Sequence, residues 1–110
     1  MDLRIELDFD FSFEGDLLLW QEGKKWHSQI TIKKRKADQY GLRGGDHIRV
    51  ALVRNGDVAV FEKKVSEVKT KTGTSFRISV PKDIVERLNL FESQDRSVRV
   101  MIKVLKKQQT

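Results

Sequence analysis

Apolar and polar residues alternate with a period of two over most of this chain. Leu3, Ile5, Leu7, Phe9, Phe11 and Phe13 fall on one side, and Arg4, Glu6, Asp8, Asp10 and Ser12 on the other. That spacing predicts a β-strand with one buried and one wet face. Gly15-Asp16 is expected to end it, and the apolar run Leu17-Leu18-Leu19-Trp20 follows, closed by Glu22-Gly23 and Lys24-Lys25. A strand is predicted from Trp26 to Ile32, with Trp26, Ser28, Ile30 and Ile32 on one face. Lys33 to Tyr40 is polar and helix-compatible, and Gly41 stands where a helix C-cap is expected. After the turn Leu42-Arg43-Gly44-Gly45-Asp46, the strand His47 to Val53 meets Asn55-Gly56, a strong hairpin signal, and returns as Val58 to Phe61. Lys63 to Lys71 alternates with Val65 and Val68 out of step, the mark of a bulge, and Thr72-Gly73-Thr74 reads as a second hairpin turn. Phe76, Ile78 and Val80 alternate again until Pro81 opens a short amphipathic helix, with Ile84, Val85 and Leu88 on its apolar side. The last predicted strand is Val98 to Val104.

The order of these elements is mainly β with short helices, and it repeats. Ile30-Thr31-Ile32-Lys33-Lys34 aligns with Ile78-Ser79-Val80-Pro81-Lys82, and Tyr40-Gly41-Leu42 aligns with Leu88-Asn89-Leu90 at the same offset. One inserted residue then brings Asp46 onto Asp95, and another brings Val50 onto Val100. Each unit alone leaves apolar strand faces exposed, so two units are expected to pack on one core. The expected organisation is a single domain over 1–110: an N-terminal strand extension (1–25), a first repeat (26–62) and a second (63–110).

Ile78-Ser79-Val80-Pro81-Lys82-Asp83-Ile84-Val85-Glu86-Arg87-Leu88-Asn89-Leu90 resembles the core motif of the AbrB/SpoVT-type swapped-hairpin DNA-binding domains. The first copy resembles it more loosely through Gly41-Leu42-Arg43-Gly44-Gly45-Asp46, with Lys33 in place of the proline and Lys36 and Ala37 in place of helix-core apolar residues. The resemblance implies a cradle-loop β-barrel of swapped-hairpin or double-psi type with a pseudo-twofold internal repeat. It also implies DNA binding, by a homodimer or by two copies within one chain. By the same resemblance, basic residues beside the strand–helix junctions touch DNA: Lys33, Lys34, Arg35 and Lys36 in the first copy, Arg77 and Lys82 in the second.

Charge adds to this picture. The net charge of +6 is uneven: residues 1–23 hold seven acids against Arg4, and residues 24–110 hold 21 bases against nine acids. A basic surface of that kind concentrates polyanions. The run Lys33-Lys34-Arg35-Lys36 is the strongest candidate for phosphate contact, with Arg43 nearby and a helix start beside it to add donors. Lys69, Lys71 and Arg77 flank the second hairpin and make a basic arm suited to a phosphate backbone or groove. The ordinary reading of both is a solvated surface. The acidic face of the first strand has two readings, a solvated or edge-protecting face or a face that docks on basic surface. Trp20 and Trp26 belong ordinarily to a core, and alternatively stack on unpaired bases.

Catalysis and metal binding find little. His27 and Ser28 are adjacent on a strand and so face opposite sides, which excludes a nucleophile–base pair. His27 and His47 have no metal-ligand spacing, and the chain has no cysteine. Gly41 to Gly45 lacks the Gly-Lys-Ser/Thr ending of a phosphate-binding loop. No cofactor, metal, small-molecule substrate or membrane partner is expected, and the acidic start and missing cysteines fit a cytoplasmic protein. The expected partner is duplex DNA. Two rivals stand beside it: a protein-interaction module like the double-psi substrate-recognition domains, and a single-strand or RNA binder.

Overall fold

The computed structural model describes residues 9–107. Strands make up 60% and helices 13% of the structure. The strands are β1 (Phe11–Glu22), β2 (Lys25–Lys33), β3 (His47–Arg54), β4 (Asp57–Lys64), β5 (Ser66–Thr70), β6 (Gly73–Ser79) and β7 (Ser97–Lys106). Helix α1 (Lys34–Tyr40) follows β2, and α2 (Lys82–Arg87) follows β6. All ladders are antiparallel, in the order β4-β3-β7-β1-β2-β6-β5, and the sheet curls into a half-barrel.

The alternation in the sequence sets which residues fill the hollow. Ile30 and Ile32 of β2, Val50 and Leu52 of β3, Ile78 of β6 and Val100 and Ile102 of β7 are fully buried on the inner face. Ala37 of α1 and Ile84, Val85 and Leu88 around α2 pack on the same cluster. The predicted hairpin at Asn55-Gly56 forms, with φ of 51° and 84°, the left-handed pair that a two-residue turn between twisted strands requires. Other elements match the pattern within a few residues.

Two boundaries differ. The part of the first predicted strand before Phe9 lies outside the described residues. The expected break at Gly15-Asp16 is instead a change of partner within one long strand: Phe11–Asp16 pairs with β7 and Leu17–Glu22 with β2. A Cβ at Gly15 would lie 3.4 Å from both the Phe13 ring and Val100, so its bare backbone lets the inner-face neighbours close in where the strand rounds the corner. The stretch read as bulged at Val65 divides there in the same way. β4 leaves β3, Val65 is buried with its N–H on the Asp46 carbonyl and its carbonyl on the Gly45 N–H, and β5 joins β6. The second hairpin turn is Lys71-Thr72, with Gly73 already in β6 and paired with Thr70.

The two helices leave the β2–β6 ribbon at opposite ends. α1 starts after Lys33, which faces Ser75, and α2 starts just beyond Ser79, which faces Gln29. The span between those two pairs is about 13 Å at the usual strand rise.

A candidate nucleic-acid interface at one end of the half-barrel

Three segments meet at the α1 end. The first is α1 itself, seated on β1 by its aromatic and aliphatic groups. The Tyr40 ring stacks on Phe11 at 4.1 Å, Lys36 Nζ lies 4.7 Å over the Phe13 ring, and Ala37 is buried. The second is the β5–β6 hairpin, which runs on past the Lys33–Ser75 pair and carries Lys69, opposite Thr74, and Lys71 in its turn. The third is the loop 41–46, tied to the chain between β4 and β5 by the Gly45 N–H to the Val65 carbonyl, 2.7 Å. That loop approaches so closely that a Cβ on Gly44 would sit 2.8 Å from the Glu67 Cβ.

This arrangement places Lys33, Lys34, Arg35, Lys36, Arg43, Lys69 and Lys71, most of the positions expected from sequence, at one end of the half-barrel, with Lys33 and Lys69 on opposite sheet faces. They are not equivalent. Asp38 binds two of them: Lys34 Nζ lies 2.9 Å from Oδ2, and Arg43 Nη1 lies 3.1 Å from Oδ1. The Lys34 hydrogen bond and the charges of Lys34 and Arg43 hold the Asp38 carboxyl below its ordinary range. Arg43 Nη1 also donates to the Leu42 carbonyl at 2.7 Å. Among the described residues, Lys33, Arg35, Lys36, Lys69 and Lys71 have no ion pair, and all but half-buried Lys36 are exposed. The first turn of α1 holds no acidic residue, so its cations stand at the positive end of the helix. Like-sign placement of that kind opposes helix stability, and local folding does not account for it.

Arg77 lies on the outer sheet face, opposite Thr31 and therefore on the same face as Lys33. Its Nε is buried without a hydrogen-bond partner among the described residues. Lys82 is not part of the group. It sits at the α2 end, 3.9 Å from Glu86.

Of the acidic face expected on the first strand, Arg4, Glu6 and Asp8 lie outside the described residues, and Glu14 and Asp16 stand on the half of β1 that pairs with β7 alone. Glu14 and Asp16 line a groove of about 510 Å³ whose far wall is Lys33, Arg35 and Lys36. Acid and base therefore face each other across the groove.

At the back of the cluster stands the one buried charged residue among those described. Asp46 is fully buried. Its Oδ2 accepts from the Arg43 N–H at 2.9 Å and from Lys107 Nζ at 2.6 Å, and Lys107 also donates to the Gly41 carbonyl. The end of β7 thus fixes the loop that presents Arg43. The sequence repeat marked Asp46 as a turn residue but gave no sign of Lys107 as its partner. Asp38 carries no sequence signal either, since an acid inside a basic helix reads as surface.

The tryptophans depart from the ordinary expectation. Trp20 is 40% exposed and Trp26 41% exposed, so neither belongs to the core. Both sit where β1 and β2 run out beyond the inner cluster toward the Gly23 turn. The two histidines lie apart, His27 on β2 near Glu22 (3.5 Å) and His47 on β3 near Glu62 (3.6 Å).

No helix among the described residues is long and apolar enough to cross a membrane. Neither a scan of protein-family models nor a search of curated proteins found a match for the chain.

Proposed function

We propose that this protein binds duplex DNA through the basic end built from Lys33, Arg35, Lys36, Lys69 and Lys71, with Lys34 and Arg43 behind them on Asp38. One observation above all carries the reading: cations from a helix start and from a hairpin remote in sequence stand at the same end of the half-barrel, and five of them lack an ion pair among the described residues. Phosphates spaced along a backbone are neutralised by cations distributed in this way. Contacts to phosphates position a duplex without reading its sequence, which fits a small regulator or architectural protein.

The same proposal takes the fold as a cradle-loop barrel of swapped-hairpin type made by internal duplication. Pairing registers support it. Ile30 faces Ile78, and Ala51 faces Met101. Each of these pairs joins a position to its own counterpart in the repeat, as copies do when they meet on a twofold axis. The Leu17 N–H donates to the Arg96 carbonyl at 2.9 Å, and the Val65 N–H donates to the Asp46 carbonyl at 2.9 Å. The donors Leu17 and Val65 share the offset of Ile30 and Ile78, and the acceptors Asp46 and Arg96 share that of Ala51 and Met101, which makes Arg96 the counterpart of Asp46 in place of Asp95. On this reading β1 corresponds to β4 plus β5. The first copy then begins with β1 instead of at residue 26, and the second begins with β4.

The test is a fluorescence-anisotropy titration of a labelled random-sequence duplex with wild type and with the double substitution Lys34→Glu, Arg35→Glu. Binding by wild type and its loss in a folded variant is the expected result. Unchanged affinity would overturn the site, and absence of wild-type binding at low salt would overturn the function.

A further inference from the structure

The opposite end of the β2–β6 ribbon carries a different chemistry. There Trp20 and Trp26 stand on the last rungs of the β1–β2 hairpin, opposite His27 and Gln21. The Trp20 ring stacks on His27 at 5.3 Å and 18°, and Trp26 meets Phe91 edge-on at 5.2 Å and 73°. These four rings border one depression of about 220 Å³, with Lys82 at its rim. Ser28, Gln29, Ser79 and Val80 also line it, and the Ser28 hydroxyl donates to the Val80 carbonyl at 2.6 Å. Beyond the rings, the hairpin tip adds Lys24 and Lys25, which have no ion pair among the described residues, against Glu22, which lies 3.5 Å from His27.

We infer that this depression takes an unpaired nucleobase of a single-stranded nucleic acid. Three observations support the assignment. First, two large indoles keep about two-fifths of their surface in water at a place where the inner cluster has ended, a costly arrangement for stability alone. Second, the volume lies below that of drug-sized pockets and suits one flat ring system, for which the rings provide stacking faces while Gln29 and Ser79 offer edge hydrogen bonds. Third, Lys82 lines the depression, and Lys24 and Lys25 stand at the tip of the hairpin that carries both tryptophans, which favours a ring that brings a phosphate over a neutral sugar. The site is independent of the phosphate-gripping end, about 13 Å or more along the ribbon.

The chain has two tryptophans, so its indole emission reports on this depression alone. The experiment titrates the full chain with a short oligothymidylate, and in parallel with a neutral oligosaccharide, following that emission. Saturable quenching by the oligonucleotide and none by the sugar is expected. Trp26→Ala, read through the remaining Trp20, weakens binding about 5- to 150-fold, the effect of losing one base stack. Trp26→Phe keeps a stacking face and retains binding within a few-fold, which separates stacking from a folding defect. Lys69→Ala with Lys71→Ala still shows quenching, so a failure of duplex binding leaves this result standing. Emission unmoved by the oligonucleotide, equal quenching by the sugar, or equal affinity in Trp26→Ala would each overturn the inference.

Discussion

Counterion release gives the sharpest test of the basic end. The perturbation is Lys69→Ala with Lys71→Ala, both exposed on the β5–β6 hairpin, where alanine removes charge and leaves the core untouched. Lys33, Arg35, Lys36, Lys69 and Lys71 are the cations of the cluster without an ion pair among the described residues. If each neutralises one phosphate, log K falls with log salt at a slope of about −4.5. Between about 50 and 200 mM salt, affinity then drops about 500-fold. With three cations left the slope becomes about −2.7 and the drop about 40-fold. Anisotropy titrations of a random-sequence duplex at four salt concentrations measure both slopes. Lys103→Ala, on β7 opposite Arg49, serves as a control whose slope stays at the wild-type value. A wild-type slope near zero would refute phosphate gripping. Equal slopes in wild type and the hairpin variant would show that the hairpin is solvated surface, however well the protein binds.

Three further outcomes follow from the packing behind the cluster. Gly44→Ala forces its new methyl within 2.8 Å of the Glu67 Cβ, an atom that cannot swing away, so the loop must retreat from Val65. A loss of about 1–3 kcal/mol in urea unfolding is expected, and a loss below about 0.5 kcal/mol would contradict the close approach. Lys107→Ala strips a cation from buried Asp46. Because Lys107 is half-exposed and the Arg43 N–H remains, the cost is about 1–2 kcal/mol, less than for a fully buried pair. Lys106→Ala, exposed and without an ion pair among the described residues, should cost under about 0.5 kcal/mol, and equal losses at the two positions would refute the Asp46 contact. Asp38 carries a depressed carboxyl, so its pairing with Lys34 and Arg43 contributes at pH above the unfolded value and is lost as pH falls through the lower folded one. Titration of the Asp38 carboxyl by NMR should move up toward 3.8 in Lys34→Ala with Arg43→Ala, and an unmoved midpoint would mean the clamp does not form in solution.

The elements are legible in the local pattern of the chain. Period-two alternation, Asn55-Gly56 and Pro81 each act within a few residues, where sterics and turn chemistry leave little choice. The basic run before Tyr40 was visible for the same reason, as were the buried strand faces. Tertiary structure decided what depends on where strands find their partners. Gly15 looked like a stop because glycine breaks strands locally, yet here it lets β1 pass from β7 to β2. Lys82 and Lys33 occupy neighbouring places in the repeat, but antiparallel pairing of β2 with β6 sends the matching ends in opposite directions. Trp20 and Trp26 alternate correctly for a strand, and nothing local marks the rung at which the inner cluster stops. That rung is set by how far the β1–β2 hairpin overhangs the barrel, a length fixed only when the strands pair. Asp46 and Lys107 are far apart in the chain and meet because β7 runs back beside β3, a contact that no pattern along the chain encodes.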